Sequence, residues 1–169
     1  MNTKRLELGD PKYNTTDRVV LLLATGGGLG DAPRMPGTVG SLWGPPLVWL
    51  WQLTGLPTWS NAILGALLFA AGVPLCMRAA QLMNAKDPGR LVFDEIAAFP
   101  FIYLFVPVTF ASAVFGFVWF RLFDVLKPWP CAELDRLHNA VGVMADDTAA
   151  ALYAAVALVG TMAMWGGLP

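Results

Sequence analysis

Charge is what this 169-residue chain lacks. Asp, Glu, Lys and Arg make up 14% of it, where an ordinary soluble domain carries about 25%. The deficit is concentrated. No charged residue occurs in the 43 positions between Arg34 and Arg78, the 25 between Glu95 and Arg121, or the 22 from Thr148 to Pro169. The charges that remain balance, 11 Lys and Arg against 12 Asp and Glu. That excludes a nucleic-acid partner held by a strongly basic surface, and it excludes a disordered acidic tail. Two cysteines, Cys76 and Cys131, are too few for a disulfide framework. There is one histidine, His138, which reads as structural or catalytic. No segment alternates apolar and polar residues over a strand's length. The opening MNTKRLELGDPKYNTTDR has no apolar core, so no secretory signal is expected. Internal repeats are absent as well.

What is present is apolar: 56% hydrophobic residues, with seven Trp and ten Phe. A membrane-crossing helix needs roughly 20 mainly apolar residues. The first charge-free stretch is long enough for two crossings, with a turn near Leu56-Pro57-Thr58, and the last for one. The ionisable residues form three islands, Lys4–Arg34, Arg78–Glu95 and Arg121–Asp147. Each contains Lys or Arg, so the positive-inside tendency puts all three on the cytoplasmic side of a bilayer. Pro100 and Pro107 interrupt the middle stretch, and Pro107-Val108-Thr109 reads as a turn. Residues 96–120 are therefore expected to form a re-entrant or tightly packed hairpin that returns to the side it left. Helices are predicted at about 39–54, 60–84, 92–106, 109–126 and 144–166, with a short one at 131–138. The run Val19–Thr25 is too short to cross and reads as an interfacial or packed segment. The fold class is all-α, a compact polytopic membrane helical bundle with its charged loops gathered on one face. Residues 1–25 form a polar N-terminal segment and apolar lead-in, and 26–169 form the membrane domain.

Four constellations could carry chemistry. GGGLGDAPRMPGTVGSL, Gly26 to Leu42, is a Gly-Pro loop before a helix start, either a phosphate cradle or a tight connector. It is no P-loop, because no Gly-Lys-Ser/Thr ends it, and it follows no strand. DPGRLVFDEIAAF places Asp94 and Glu95 side by side where an apolar segment begins. Burying neighbouring carboxylates is costly without a cation, although acidic residues also suit an ordinary helix start. FRLFDVLKPWPCAELDR sets Arg121 and Asp124 on one helix face, with Lys127 before Pro128 and Asp135-Arg136 beyond. Alternating acids and bases suit a divalent metal and a phosphate held together, or a salt-bridged helix end with a Trp anchor. HNAVGVMADDTAA contributes a second adjacent pair, Asp146 and Asp147.

The motifs MPGTVGSL, LVFDEI, FRLFDVLKPWP, LDR and GVMADD, in that order over about Gly26 to Tyr153, resemble the phosphatidylglycerophosphatase A family. The resemblance implies a Mg²⁺-dependent lipid phosphatase of the bacterial inner membrane. Such an enzyme converts phosphatidylglycerophosphate to phosphatidylglycerol and phosphate, its active site facing the cytoplasm. It implies metal ligands among Asp94, Glu95, Asp124, Asp146 and Asp147, and catalytic roles for Asp94, Asp124, Arg121, Lys127, Asp135 and Arg136. Substrate contacts would come from Gly37, Thr38, Ser41, Arg121 and Lys127. Two departures stand out: Ala32-Pro33 replaces the usual Ser-Pro, and Asn139-Ala140 replaces Gly-Gly. The first removes a hydroxyl and the second stiffens a loop. Neither a cysteine-phosphatase arginine nor a DxDx[TV] pattern is present, which favours attack by a water activated by Mg²⁺ and leaves an Asp nucleophile open. A small ion-coupled transporter using the acidic pairs, or a purely structural membrane partner, would draw on the same charges.

Overall fold

The computed structural model describes residues 13–85, 89–137 and 139–166, and among these every regular element is helical. The polar stretch 1–12, Asp87, His138 and the terminal Pro169 lie outside the described residues. Helix α1, Thr15–Ala24, starts where the Asn14 side chain accepts the Asp17 N–H at 2.8 Å. It packs on the long helix α4, Asn61–Met83, and Arg78 ties the two together through Asp17 at 2.7 Å. The predicted packed segment is thus a helix whose Leu21 and Ala24 are fully buried.

The helix predicted at 39–54 is a continuous helical run over 36–52 that tightens to a 3-10 turn in its middle. Pro36–Gly40 forms α2, Ser41–Trp43 a 3-10 turn, and Gly44–Gln52 α3. Gly40 sits on Val92 and Gly44 on the ring of Phe99, too close for any Cβ. The chain follows this irregular path to reach the core. Of the two crossings expected in the first charge-free stretch, the first falls on this helical run over 36–52, which is about 27 Å long against an apolar bilayer core of roughly 30 Å. Among the described residues, two segments are long and apolar enough to cross: Thr58–Met83, which contains α4, and Ala140–Met164, which is α8.

Helix α5, Phe93–Ile102, lies at the centre and packs against α3, α4 and α8. It is apolar on every side after Glu95, the pattern of a helix surrounded by protein. Ile96, Ala97, Ala98, Phe99, Pro100 and Ile102 are all buried. Helix α6, Phe110–Leu126, runs back along α8. The short α7, Cys131–Asp135, also packs on α8. Small residues Ala150, Ala151, Ala154 and Ala155 line the buried side of α8 and let its neighbours approach closely. Phe99 and Phe120 meet at 4.9 Å between ring centres in the core.

The α5–α6 turn is the hairpin read from the prolines. Polar side chains satisfy its backbone: Asn61 Nδ2 donates to the Tyr103 carbonyl at 2.7 Å, and the Val108 N–H donates to Gln52 Oε1 at 2.8 Å. The Thr109 and Ser112 side chains form a reciprocal cap at the start of α6. The chain therefore leaves at Glu95 and returns at Arg121 to the same end of the bundle, where the two side chains meet at 3.0 Å.

Gly44→Ala is expected to lower stability by about 1–3 kcal/mol, because its methyl must displace the fully buried Phe99. Gly160→Ala has open space around it and is expected to be neutral or slightly stabilising. Thermal unfolding of both variants in one detergent checks the pair.

Candidate active site

Asp94 and Glu95 open α5, and Arg121 and Asp124 occupy the last turns of α6. Lys127 ends α6 in a left-handed conformation, φ 44°, with Pro128 behind it. A non-glycine residue held there costs of order 1–3 kcal/mol and is kept only when its surroundings impose it. The imposing contacts are ionic: Lys127 Nζ lies 2.7 Å from both Asp135 Oδ1 and Asp146 Oδ2. Asp146 and Asp147 sit two turns inside α8, whose start is capped by the Asn139 side chain accepting the Gly142 N–H at 2.8 Å. The residue read from sequence as a stiffened loop is thus the cap that fixes where α8 begins. Asn followed three positions later by Gly, just before a helix, is the available signal for it.

Carboxylate oxygens of Asp124, Asp146 and Asp147 all lie within 4.8 Å of one another. Asp146 and Asp147 are each 5% exposed and Asp94 6%, so these charges are largely out of water. Asp147 is surrounded by the charges of Asp94, Asp124, Asp146 and Glu95. Asp146 Oδ1 is buried with no hydrogen-bond partner among the described residues. An all-oxygen donor set, crowded with negative charge and holding an orphaned buried oxygen, has the chemistry of a hard divalent cation site.

Two cations flank the triad. On one side, Arg121 Nη1 is 2.8 Å from Asp124 Oδ2 and 3.0 Å from Glu95 Oε1. On the other, Lys127 bridges Asp135 and Asp146. Burial opposes the charge on Lys127, but its two carboxylate partners outweigh that and hold its pKa above the ordinary lysine range. Burial likewise pushes the Glu95 carboxyl above its ordinary range, against the opposing pull of Arg121 and a hydrogen bond from Ser41. The Ser41 Oγ also reaches the Gly37 carbonyl at 2.8 Å, so the Gly-Pro loop contributes through α2 and the turn after it.

Most of the residues singled out in the sequence therefore come together: Gly37, Ser41, Asp94, Glu95, Arg121, Asp124, Lys127, Asp135, Asp146 and Asp147. Thr38 is partly buried on α2, one position beyond Gly37. Arg136 is exposed at the end of α7. Spacing sets Arg121 beside the expected metal ligands and leaves Lys127 toward the glycerol-phosphate side or the lipid headgroup plane. In the structure both cations touch the triad, Arg121 at Asp124 and Lys127 at Asp146.

Comparison with known proteins shows the family. The family model described as Phosphatidylglycerophosphatase A matches residues 22–162. Phosphatidylglycerophosphatase A of Escherichia coli strain K12 is 37% identical over 153 residues, covering 89% of this chain and 83% of the relative. The Haemophilus influenzae protein of the same name is 38% identical over 138 residues, covering 80% and 83%. A Bacteroides thetaiotaomicron protein, named provisionally as a phosphatidylinositol-3-phosphatase, is 30% identical over 152 residues, covering 86% and 93%. No solved structure matches. Motif order, the extent of the match and the identity to two named relatives agree: the chain belongs to the phosphatidylglycerophosphatase A family.

Proposed function

We propose that this protein removes the terminal phosphate of phosphatidylglycerophosphate, yielding phosphatidylglycerol and inorganic phosphate, at the cytoplasmic face of a bacterial inner membrane. One observation carries the reading. The Asp124, Asp146 and Asp147 carboxylates meet Arg121 and Lys127 at one end of a bundle whose two longest helices are apolar enough to cross a bilayer. A phosphomonoester carried on a lipid is a substrate that both halves of that description suit.

In this reading Asp124, Asp146 and Asp147, with Asp94 beside them, hold Mg²⁺, which when bound supplies Lewis-acid polarisation of the phosphoryl oxygens and a more acidic water. Arg121 offers the phosphate two parallel hydrogen bonds, and Lys127 offers a fixed positive charge. Both oppose the negative charge that builds on the phosphoryl oxygens as the reaction proceeds. A water oxygen bonds to phosphorus, the bond from phosphorus to the glycerol oxygen breaks, and that oxygen leaves with a proton. The exposed apolar side chains of α4, α6 and α8, such as Leu67, Val118 and Val156, face the acyl chains. Trp43 and Trp129, exposed at the charged end, suit the headgroup level. The stretches 35–77, 96–120 and 148–169 carry no charge at all. An ion-coupled transporter would need charged residues along that path, so this alternative has no support.

Four outcomes are expected. Purified in detergent, the protein releases phosphate from phosphatidylglycerophosphate with Mg²⁺ and stops when a chelator is added. Turnover of phosphatidylinositol-3-phosphate instead would move the headgroup assignment toward the Bacteroides relative, and release from neither lipid would reject the reading. Arg121→Lys lowers turnover more than tenfold, over ~1.4 kcal/mol of transition-state stabilisation, because one ammonium cannot make the guanidinium's paired contacts. Lys127→Arg, which can still bridge Asp135 and Asp146, is milder and is seen mainly in apparent substrate affinity. Finally, cysteines introduced at Asn84 and Glu133 both stay protected from an impermeant reagent added outside intact cells. Labelling of only one of them would mean that residues 96–120 cross the membrane.

A further inference from the structure

Arg121 is held by one corner. Its Nη1 is the atom that meets Asp124 and Glu95, and it also lies 3.5 Å from Ser41 Oγ. Its Nε is buried and has no acceptor among the described residues. In a guanidinium group the Nε–H and one Nη2–H point the same way and form a fork that matches two oxygens of a phosphate. Nη1 is the corner away from that fork. Three protein oxygens at Nη1 therefore leave the Nε–Nη2 edge to an anion.

Glu95 is itself fixed from two directions. The Ser41 hydroxyl hydrogen-bonds to its Oε2. Gly37 backs onto its Oε1 so closely that a Cβ at position 37 would overlap the oxygen. Both Glu95 oxygens are thus engaged by Arg121, Ser41 and the face of α2, whereas the clustered carboxylates are Asp124, Asp146 and Asp147.

We infer that Glu95 is a positioning residue and not a metal ligand: braced by Ser41 and Gly37, it pins Arg121 by Nη1 so that the Nε–Nη2 edge faces the phosphate. This deepens the phosphatase reading above and rests on it for the identity of the anion. It also gives a physical reason for the bare glycine at position 37, where any side chain would push the Glu95 carboxylate off Arg121.

The test separates metal from phosphate. Mn²⁺ serves as a paramagnetic stand-in, and its binding to the purified full chain in detergent is followed by electron paramagnetic resonance. Glu95→Gln and Gly37→Ala are expected to keep Mn²⁺ affinity within twofold of the parent, while Asp147→Asn loses more than tenfold. In the presence of Mn²⁺, both Glu95→Gln and Gly37→Ala are expected to bind inorganic phosphate at least fivefold more weakly. Added guanidinium should restore turnover to Arg121→Gly, and at least fivefold less to Arg121→Gly combined with Glu95→Gln, a difference that a purely structural role would not produce. A loss of Mn²⁺ affinity in Glu95→Gln equal to that in Asp147→Asn overturns the proposal. So does unchanged phosphate affinity in Glu95→Gln and Gly37→Ala together. If Glu95→Gln fails to fold, Gly37→Ala and Ser41→Ala carry the same expectations, and the same two results in them overturn the proposal. Should the parent hydrolyse neither lipid, the function proposed above fails, while the Mn²⁺ and phosphate measurements still decide the role of Glu95.

Discussion

The constraint on which the molecule turns is the confinement of carboxylates away from water. Asp94, Asp146 and Asp147 are almost fully buried, and Glu95 and Asp124 nearly so. An ionised carboxylate taken out of water costs several kcal/mol unless opposite charge and hydrogen bonds accompany it. Two cations are shared among them, each touching two carboxylates: Arg121 serves Glu95 and Asp124, and Lys127 serves Asp135 and Asp146. These pairs draw α5, α6, α7 and α8 to a single point. Six carboxylates, counting Asp135, then face two cations, and a divalent cation among the clustered Asp124, Asp146 and Asp147 would offset the excess.

The same rule acts on the backbone at the far end of α5. A helix that stops inside apolar surroundings leaves carbonyls and N–H groups without partners. Here Asn61 takes up the Tyr103 carbonyl, Gln52 accepts the Val108 N–H, and the Ser112 hydroxyl donates to the Pro107 carbonyl at 2.7 Å. These side chains come from α3, α4 and α6, so the hairpin tip is stitched to three neighbours. A ten-residue α5 can then begin at the charged end and stop short of the other side. That shortness allows Glu95 and Arg121, 26 positions apart in the chain, to reach the same place.

Glycine supplies the close approaches that make the rest fit. Gly44 lets α3 lie on Phe99, and Gly37 lets α2 lie on Glu95. One contact sets a helix against the core and the other sets a loop against the site. The α2 segment is thereby part of the candidate site's scaffold, although it carries no charge.

Much of this was legible in the chain itself. Charge-free stretches and prolines are local features, so the helix positions, the returning hairpin and the candidate residues could be read from them. The two adjacent acidic pairs could be read as a candidate site because burying such pairs without a cation is costly. Sequence spacing could not divide the labour, because that depends on which side chains meet across elements. It treated Glu95 as one more acidic residue like Asp94, where packing joined it to Ser41, Gly37 and Arg121. It kept Lys127 away from the carboxylate triad, where the left-handed end of α6 turned it onto Asp146. It read 39–54 as one helix, but it did not show that this run tightens to a 3-10 turn at Ser41–Trp43 and lies against Val92 and Phe99. Composition and periodicity are properties of the chain taken locally, and they determined the helices and the supply of charges. Which charge faces which is a property of distance in three dimensions, and only the packing of α2, α5, α6 and α8 decided it.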